Sequence, residues 1–139
     1  MSKIDGLQPL VRRLAEALLQ KCAEQKIDLI ISQGFRTIAE QDILYARGRT
    51  APGKIVTQVK GGKSFHNYGV AFDFCPVKKG KAVWNDNELY KKIGAIGQSL
   101  GLEWGGSWKR FKDWPHFQYL AGYTIADFEQ GKVDLKKFA

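Results

Sequence analysis

The sequence is short of cysteine and of long apolar runs, and each shortage excludes a class of protein. Its two cysteines, Cys22 and Cys75, lie too far apart to imply a disulfide framework, so a reducing compartment is expected. No apolar stretch reaches the length that spans a bilayer, and charged residues interrupt the N-terminal segment where a signal peptide needs its apolar core. The sequence therefore predicts cytoplasmic synthesis, without a signal peptide and without membrane insertion.

Acidic residues are scarce relative to basic ones, since 14 Asp and Glu stand against 22 Lys and Arg and leave a formal net charge of +8. Such an excess attracts polyanions such as nucleic acid, a membrane surface or an anionic cell wall, although a basic face that only aids solubility gives the same charge. The basic residues are spread along the chain, and no nucleic-acid-binding motif is present. We therefore expect no nucleic-acid partner.

The first half of the chain predicts two helices and one strand. Helical spacing relates Leu7, Val11, Leu14, Leu18 and Cys22. Residues 27–32 are rich in β-branched side chains and predict a buried strand, after which Thr37 and Glu40 form the capping pair of a second helix that ends at Gly48. Residues 48–63, rich in glycine and lysine, predict a long loop that borders a site.

The second half predicts a strand at 69–75, a hairpin turning at 79–80, and a helix from the capping pair Asn85 and Glu88 to Gly101. A short strand around 116–120 and a short C-terminal helix follow. No repeat or linker interrupts the 139 residues, of which 44% are hydrophobic. We expect one domain over residues 1–139 of the α+β class, with a small, mainly antiparallel sheet and helices packed on it.

Asp73 is out of place in the strand at 69–75, because Phe72 and Phe74 flank it. A carboxylate removed from water needs a positive partner, and a metal ion fits the small residues around it, with Arg36 as a rival. His66 lies seven residues earlier, roughly 23 Å along a straight strand. The chain must bend if His66 and Asp73 are to meet, and Asn67 and Gly69 permit a bend.

The chain has only two histidines, His66 and His116. Together with Asp73 they make a three-ligand set for zinc, which in catalytic sites leaves a fourth position for water. Two histidines and an aspartate also occur in most proteins as ordinary polar groups, so residue types alone do not decide. Each histidine, however, lies where a loop enters a strand and has an acid at a fixed offset.

Asp113 precedes His116 by three residues, and Pro115 between them holds the chain extended. This position suits a general base, although a surface carboxylate beside Lys109, Arg110 or Lys112 is the alternative. Arg36 lies between the first strand and the second helix. It could stabilise an oxyanion, bind a substrate carboxylate, or pair with Asp73 or Glu40.

Three motifs in order resemble one family: SQGFRT at 32–37, the pattern S-x-H-x-x-G-x-A-x-D at 64–73, and DWPHF at 113–117. They resemble the zinc D-Ala-D-Ala carboxypeptidases and L-alanyl-D-glutamate endopeptidases, whose fold is hedgehog/D-Ala-D-Ala peptidase-like. The resemblance implies that Zn²⁺ is bound by His66, Asp73 and His116. It further implies Asp113 as the acid/base, Arg36 as the residue that polarises the carbonyl, and Ser64 and Gln41 as substrate-binding residues.

An aspartate at position 113, where the carboxypeptidase branch has glutamate, resembles the phage endolysin branch that cuts the L-Ala-D-Glu bond of peptidoglycan. We therefore expect a monomeric zinc endopeptidase that is made in the host bacterial cytoplasm and acts on the cell wall. Its partners would be peptidoglycan and, through the net charge, anionic wall polymers; no separate wall-binding domain is expected. The alternatives are a D,D-carboxypeptidase or dipeptidase and, from another class, a non-catalytic zinc-stabilised wall-binding module.

Overall fold

A computed structural model describes residues 3–139. The helices are α1 Pro9–Glu24, α2 Ile38–Ala46, α3 Asn87–Ser99 and α4 Ile125–Glu129, and the strands are β1 Asp28–Gln33, β2 Ala71–Lys78, β3 Lys81–Ala82, β4 Glu103–Trp104 and β5 His116–Gln118. Short 3₁₀ helices lie at Phe65–Tyr68, Gly105–Ser107 and Leu135–Phe138. Within residues 3–139, every helix is too short or too polar to cross a membrane.

The five strands form one sheet in the order β1-β2-β5-β4, with β3 paired to β2 as the second arm of a hairpin. Every pairing in it is antiparallel. The hairpin turns at Lys79 and Gly80, as the sequence predicts. The predicted α+β class, with a small antiparallel sheet, is confirmed.

The helix predictions hold for the first two helices. The buried face of α1 carries Val11, Ala15, Leu18 and Cys22. At the start of α2, Thr37 Oγ1 accepts a hydrogen bond from Glu40 N, and Thr37 N donates to Glu40 Oε1, both at 3.0 Å. This reciprocal pair is the predicted capping box.

The capping prediction for the third helix is wrong by one residue. Asp86, not Asn85, caps α3, because its Oδ1 accepts a hydrogen bond from Leu89 N at 3.1 Å. Its other carboxylate oxygen, Oδ2, pairs with Lys78 of β2. The aspartate therefore caps the helix and contacts the neighbouring strand at the same time.

The core is one cluster of buried side chains that runs from Leu7 to Phe138. Side chains alternate along β2, so Phe72 and Phe74 enter this cluster while Asp73 lies on the opposite face. The ring of Phe74 stacks on Phe117 of β5 with centroids 4.7 Å apart. Because these rings fill the space behind the strand, the face that carries Asp73 rests on a closely packed support.

Helix α3 approaches this support closely because it carries glycines on its inner face. A Cβ at Gly94 would lie 2.3 Å from Trp104 Cδ2, and one at Gly97 would lie 2.4 Å from the Phe117 ring. Only residues without a side chain allow this distance. The helix therefore holds β4 and β5 in place from behind.

Candidate metal centre and active site

Strand register brings two of the predicted ligands together. Asp73 of β2 is paired directly with His116 of β5. Residues directly opposite in an antiparallel pair project to the same side of the sheet. Asp73 Oδ1 accordingly lies 3.3 Å from His116 Nδ1.

A β-bulge lies on the other side of Asp73. The pairing of β1 with β2 advances from Ile31 opposite Phe74 to Gln33 opposite Asp73, so Ser32 has no partner residue. Such an extra residue bends a strand and redirects the side chains that follow it. Gln33, Gly34 and the next residues thereby turn towards the site.

The third predicted ligand arrives through the bend that the sequence required. Residues Phe65–Tyr68 form a 3₁₀ helix that Ser64 caps, since Ser64 Oγ accepts a hydrogen bond from His66 N at 3.2 Å. Gly69 then takes a φ of 71°, which lets the chain turn sharply into β2. His66 Nε2 lies 3.3 Å from Asp73 Oδ1.

Asn67 ties this bend to the loop that carries Arg36. Its side-chain oxygen accepts hydrogen bonds from Gly62 N at 3.0 Å and Ser64 N at 3.2 Å. Its amide nitrogen donates to Arg36 O at 2.9 Å. A buried side chain with all these partners fixes the relative positions of His66 and Arg36.

The second nitrogen of each histidine has an acceptor of its own. His66 Nδ1 donates to Gly34 O at 2.9 Å, and His116 Nε2 donates to Gln118 Oε1 at 2.8 Å. Gln118 is itself oriented by Glu103, because its amide nitrogen donates to Glu103 Oε2 at 2.9 Å. These bonds set the tautomers and leave His66 Nε2 and His116 Nδ1 with free electron pairs.

The donor set fits a tetrahedral metal ion. His66, Asp73 and His116 offer ligand atoms that all lie within 4.8 Å of one another, and Asp73 Oδ1 is 3.3 Å from each ring nitrogen. Metal bonds of about 2.0 Å in a tetrahedron separate two ligands by about 3.3 Å. Three electron-pair donors that face each other in this way need a cation or a proton between them.

The same contacts perturb the ionisation of the site. Burial alone would raise the pKa of Asp73, but the contacts with His116 and His66 outweigh it and hold that pKa well below its usual range. Burial alone would lower the pKa of His116, whereas the Asp73 carboxylate beside it raises that pKa above the ordinary value. The carboxylate at the centre of the site is therefore held in its charged, metal-binding form.

Asp113 lies at the rim of the same centre. Its Oδ2 is 3.8 Å from His116 Nδ1, and its side chain is 49% exposed. Partial burial raises its pKa, an effect that His116 opposes and Asp73 reinforces. Gly105 supports this position, because Asp113 N donates to Gly105 O at 3.0 Å and a Cβ at Gly105 would lie 2.3 Å from Asp113 O.

Arg36, which lines the cleft, is paired with the buried residue Gln41. Arg36 Nη1 donates to Gln41 Oε1 at 2.8 Å, and Gln41 Nε2 donates to Val59 O at 2.9 Å. Within residues 3–139, Arg36 forms neither of the ion pairs considered for it, with Asp73 or with Glu40. Gln41 has no exposed surface, so it lies beneath Arg36 and not on the cleft wall.

A cleft of about 440 Å³ joins these groups. It is lined by Arg36, Ser64, His66, Asp73, Asp113 and His116, and the loop at 48–63 supplies Val56, Thr57 and Val59. The expectation that this loop borders the site is confirmed. A second cavity of about 220 Å³ adjoins the cleft, with Arg36 and Leu44 lining both.

Sequence reasoning missed four contributors to the site. These are Gly34, whose carbonyl orients His66; Gln118 and Glu103, which orient His116; and Trp108, whose ring centroid lies 5.4 Å from that of His116. Gln118 follows His116 by two residues on the same strand, so the two side chains share one face. That spacing is the one signal in the sequence that could have indicated its role.

Comparisons with known proteins identify relatives of this chain. A family model described as D-alanyl-D-alanine carboxypeptidase matches residues 57–119. The chain is 45% identical over 123 residues to the peptidoglycan L-alanyl-D-glutamate endopeptidase CwlK of Bacillus subtilis (strain 168), a match that covers 82% of this chain and 74% of that protein. It is 33% identical over 128 residues to the L-alanyl-D-glutamate peptidase of Escherichia phage T5, covering 84% of this chain and 85% of that protein.

A solved structure shares the fold. The L-Ala D-Glu endopeptidase ChiX of Serratia marcescens aligns with a TM-score of 0.62 and 25% identity, over 91% of this chain and 87% of that chain. The two curated relatives match along most of their own length, and the family model spans the segment that contains His66, Asp73, Asp113 and His116. The chain belongs to the M15 family of metallopeptidases.

Proposed function

We propose that the chain is a zinc-dependent endopeptidase that cleaves the L-Ala-D-Glu bond in the stem peptide of bacterial peptidoglycan. The observation that carries the proposal is the convergence of His66, Asp73 and His116 on one point, with Asp113 beside it and Arg36 on the same cleft. The names of the relatives support the bond and the polymer.

Zn²⁺ would be held by His66, Asp73 and His116, a set of two nitrogens and one carboxylate oxygen that suits this ion. When bound, zinc supplies Lewis acidity, which polarises the scissile carbonyl and makes water a stronger nucleophile at neutral pH. Gly34 and Gln118 keep both imidazole rings oriented for that task.

Asp113 would move the proton. Its carboxylate reaches the cleft from the rim, where it can accept a proton from the attacking water and deliver it to the leaving amine. We assign Asp113 as the general acid/base on this basis.

Arg36 would stabilise the negative charge that develops on the carbonyl oxygen. Its guanidinium lines the cleft and is held from behind by Gln41, so its direction is set before substrate arrives. We propose Arg36 as the oxyanion partner and Gln41 as the residue that positions it. Ser64 lines the cleft beside His66 and would contact the substrate.

Cleavage within a chain requires space on both sides of the scissile bond. The second cavity, which shares Arg36 and Leu44 with the cleft, would provide that space on one side of the bond. The part of the cleft lined by the loop at 48–63 would provide it on the other side. The description of the family model favours a second candidate, a D,D-carboxypeptidase. We prefer the endopeptidase because the relatives with that name match most of the chain.

Mass spectrometry of digested peptidoglycan tests the proposal directly. New fragments that begin with D-Glu would support it, whereas release of D-Ala would establish the carboxypeptidase. Absence of any product with zinc-loaded protein would leave only the non-catalytic zinc-stabilised module. We also propose that the net charge of +8 attracts the protein to anionic wall polymers, which predicts weaker lysis as salt is added.

A further inference from the structure

A short loop beside the cleft holds an aromatic side chain in solvent and in an unfavourable backbone conformation. This KRFK loop, residues 109–112, carries Phe111 with 93% of its surface exposed, the highest value among the large apolar side chains described. Phe111 also has a φ of 53°, in the left-handed region that bulky residues rarely adopt. Backbone outliers of this kind cluster at binding and catalytic sites.

Three cations are neighbours of Phe111 in the sequence, and none of them has an acidic partner among the described residues. Lys109, Arg110 and Lys112 are all exposed, and no ion pair among residues 3–139 includes any of them. Lys112 Nζ lies 5.7 Å from the Trp114 ring. The loop therefore exposes one apolar ring together with three cations that form no ion pair within the described part of the chain.

The loop is attached to the active site at both ends. Trp108 precedes it and contacts the ring of His116, and Asp113 follows it and lines the cleft. Two residues of extended chain reach at most about 7 Å, so Phe111 lies next to the cleft rim. The loop therefore lies within reach of a polymer that extends past the Asp113 side of the cleft.

We propose that the KRFK loop is a docking surface for the peptidoglycan polymer next to the cleaved peptide. The inference rests on the proposed function, since it assumes that peptidoglycan enters the cleft. Phe111 would pack against the apolar face of a sugar ring, and the three cations would bind free carboxylates of stem peptides.

The chemistry of the loop favours peptidoglycan over a phosphate-rich wall polymer. A phosphate polymer would use the cations alone and would leave Phe111 in water. Peptidoglycan offers both apolar sugar faces and carboxylates, so it uses every group that the loop exposes.

The first test replaces the aromatic ring. Phe111→Gly, made in an Asp113→Ala background to prevent digestion, should sediment with purified sacculi about five- to tenfold more weakly, the loss expected for one important contact. Glycine accepts the positive φ, so the melting temperature should stay the same or rise. Trp84→Gly is the matched control, because Trp84 is also exposed but follows β3, which pairs with β2 at Val77 and Lys78 and not at Asp73.

The second test separates this loop from the net charge. Replacing Lys109, Arg110 and Lys112 by Gln removes three charges beside the cleft. The control replaces three exposed lysines outside the loop: Lys21 in the last turn of α1, Lys26 just before β1, and Lys81 in β3. The loop variant should lose more sacculus binding, and more of its salt dependence, than the control, which lowers the net charge equally but keeps the loop.

Cleavage assays complete the design. With Asp113 intact, Phe111→Gly should slow digestion of sacculi but cleave a soluble L-Ala-D-Glu stem peptide at the parent rate. Equal losses on both substrates would assign the loop to the catalytic step and overturn the proposal. Equal losses in both charge variants, or binding only to sacculi that retain teichoic acids, would also overturn it.

These outcomes are separable from failure of the proposed function. If the parent protein cleaves neither substrate, the endopeptidase assignment fails. Sedimentation with sacculi still tests the docking surface in that case, because it needs no cleavage. Loss of sedimentation in Phe111→Gly alone would then support the docking surface without the enzyme.

Discussion

Replacing Gln41 by Leu should release Arg36 from the orientation in which its guanidinium lines the cleft. Gln41 lies fully buried, accepting a hydrogen bond from Arg36 Nη1 at 2.8 Å and donating to Val59 O at 2.9 Å and to Thr57 Oγ1 at 3.4 Å. Leucine has a similar volume and can make none of these bonds. The change therefore removes the polar contacts with little change in packing.

The expected loss of stability follows from the two shorter hydrogen bonds, those with Arg36 and Val59. A hydrogen bond from a charged group contributes about 1.5–3 kcal/mol, and a neutral one about 0.5–1.5 kcal/mol. Arg36 is only half-buried and can regain water, and leucine gains from burial, so a net loss of about 2 kcal/mol in the free energy of unfolding is expected. An oxyanion partner that is no longer held in place should lower kcat about 100-fold.

Urea denaturation measures the stability, and hydrolysis of a soluble stem peptide measures kcat and KM separately. Gln41→Glu is the informative companion, since it keeps an oxygen for Arg36 but places a carboxylate oxygen against Val59 O where the donor was. It should recover most of kcat while remaining less stable than the parent. If Gln41→Leu loses stability but keeps kcat within about threefold of the parent, the positioning role of Gln41 is wrong.

Four further experiments, three with substitutions and one with chemical labelling, test other parts of the structure. Asp113→Ala should lower kcat at least about 100-fold and leave zinc bound, as elemental analysis would show; full activity would remove the general acid/base assignment. Gln118→Leu should weaken zinc binding about 10- to 100-fold in a chelator competition, and unchanged affinity would contradict the orienting role of Gln118. Gly94→Ala should destabilise the fold by about 1–3 kcal/mol despite better helix propensity, because its Cβ would meet Trp104 at 2.3 Å; equal or higher stability in urea would contradict this. Burial raises the pKa of Cys22 to about 11, so iodoacetamide at pH 8 should label it only after unfolding, and rapid labelling of the folded protein would show that α1 opens.

Local signals in the sequence predicted most of the fold. The apolar period in α1, the Thr37 and Glu40 pair and the Lys79–Gly80 turn each depend on residues close together in the chain. Asn85 and Asp86 are adjacent and both suit the cap of α3, so the local pattern offered two neighbouring choices. The structure places Asp86 at the cap, where it also pairs with Lys78 of another element.

The candidate site divides in the same way. The spacing of His66, Asp73, Asp113 and His116 indicated one centre, and the structure brings the four side chains together. The burial of Gln41 could not be predicted, because it depends on how the loop at 48–63 folds over α2. The carbonyl of Gly34 leaves no trace in the sequence, since every residue has one.

The unpaired residue Ser32 sets limits on how the length of this chain can vary. The regular pairing of β1 with β2 stops at Ile31 and resumes at Gln33, after the bulge. Deleting Ser32 would remove the bulge and let β1 continue straight past Ile31, so the following segment would lose the bend that turns it towards the site. The carbonyl that orients His66 and the guanidinium of Arg36 would leave the cleft together. Insertions in the turn before Asp28 avoid this penalty, so length variation among working variants should collect there and spare the bulge.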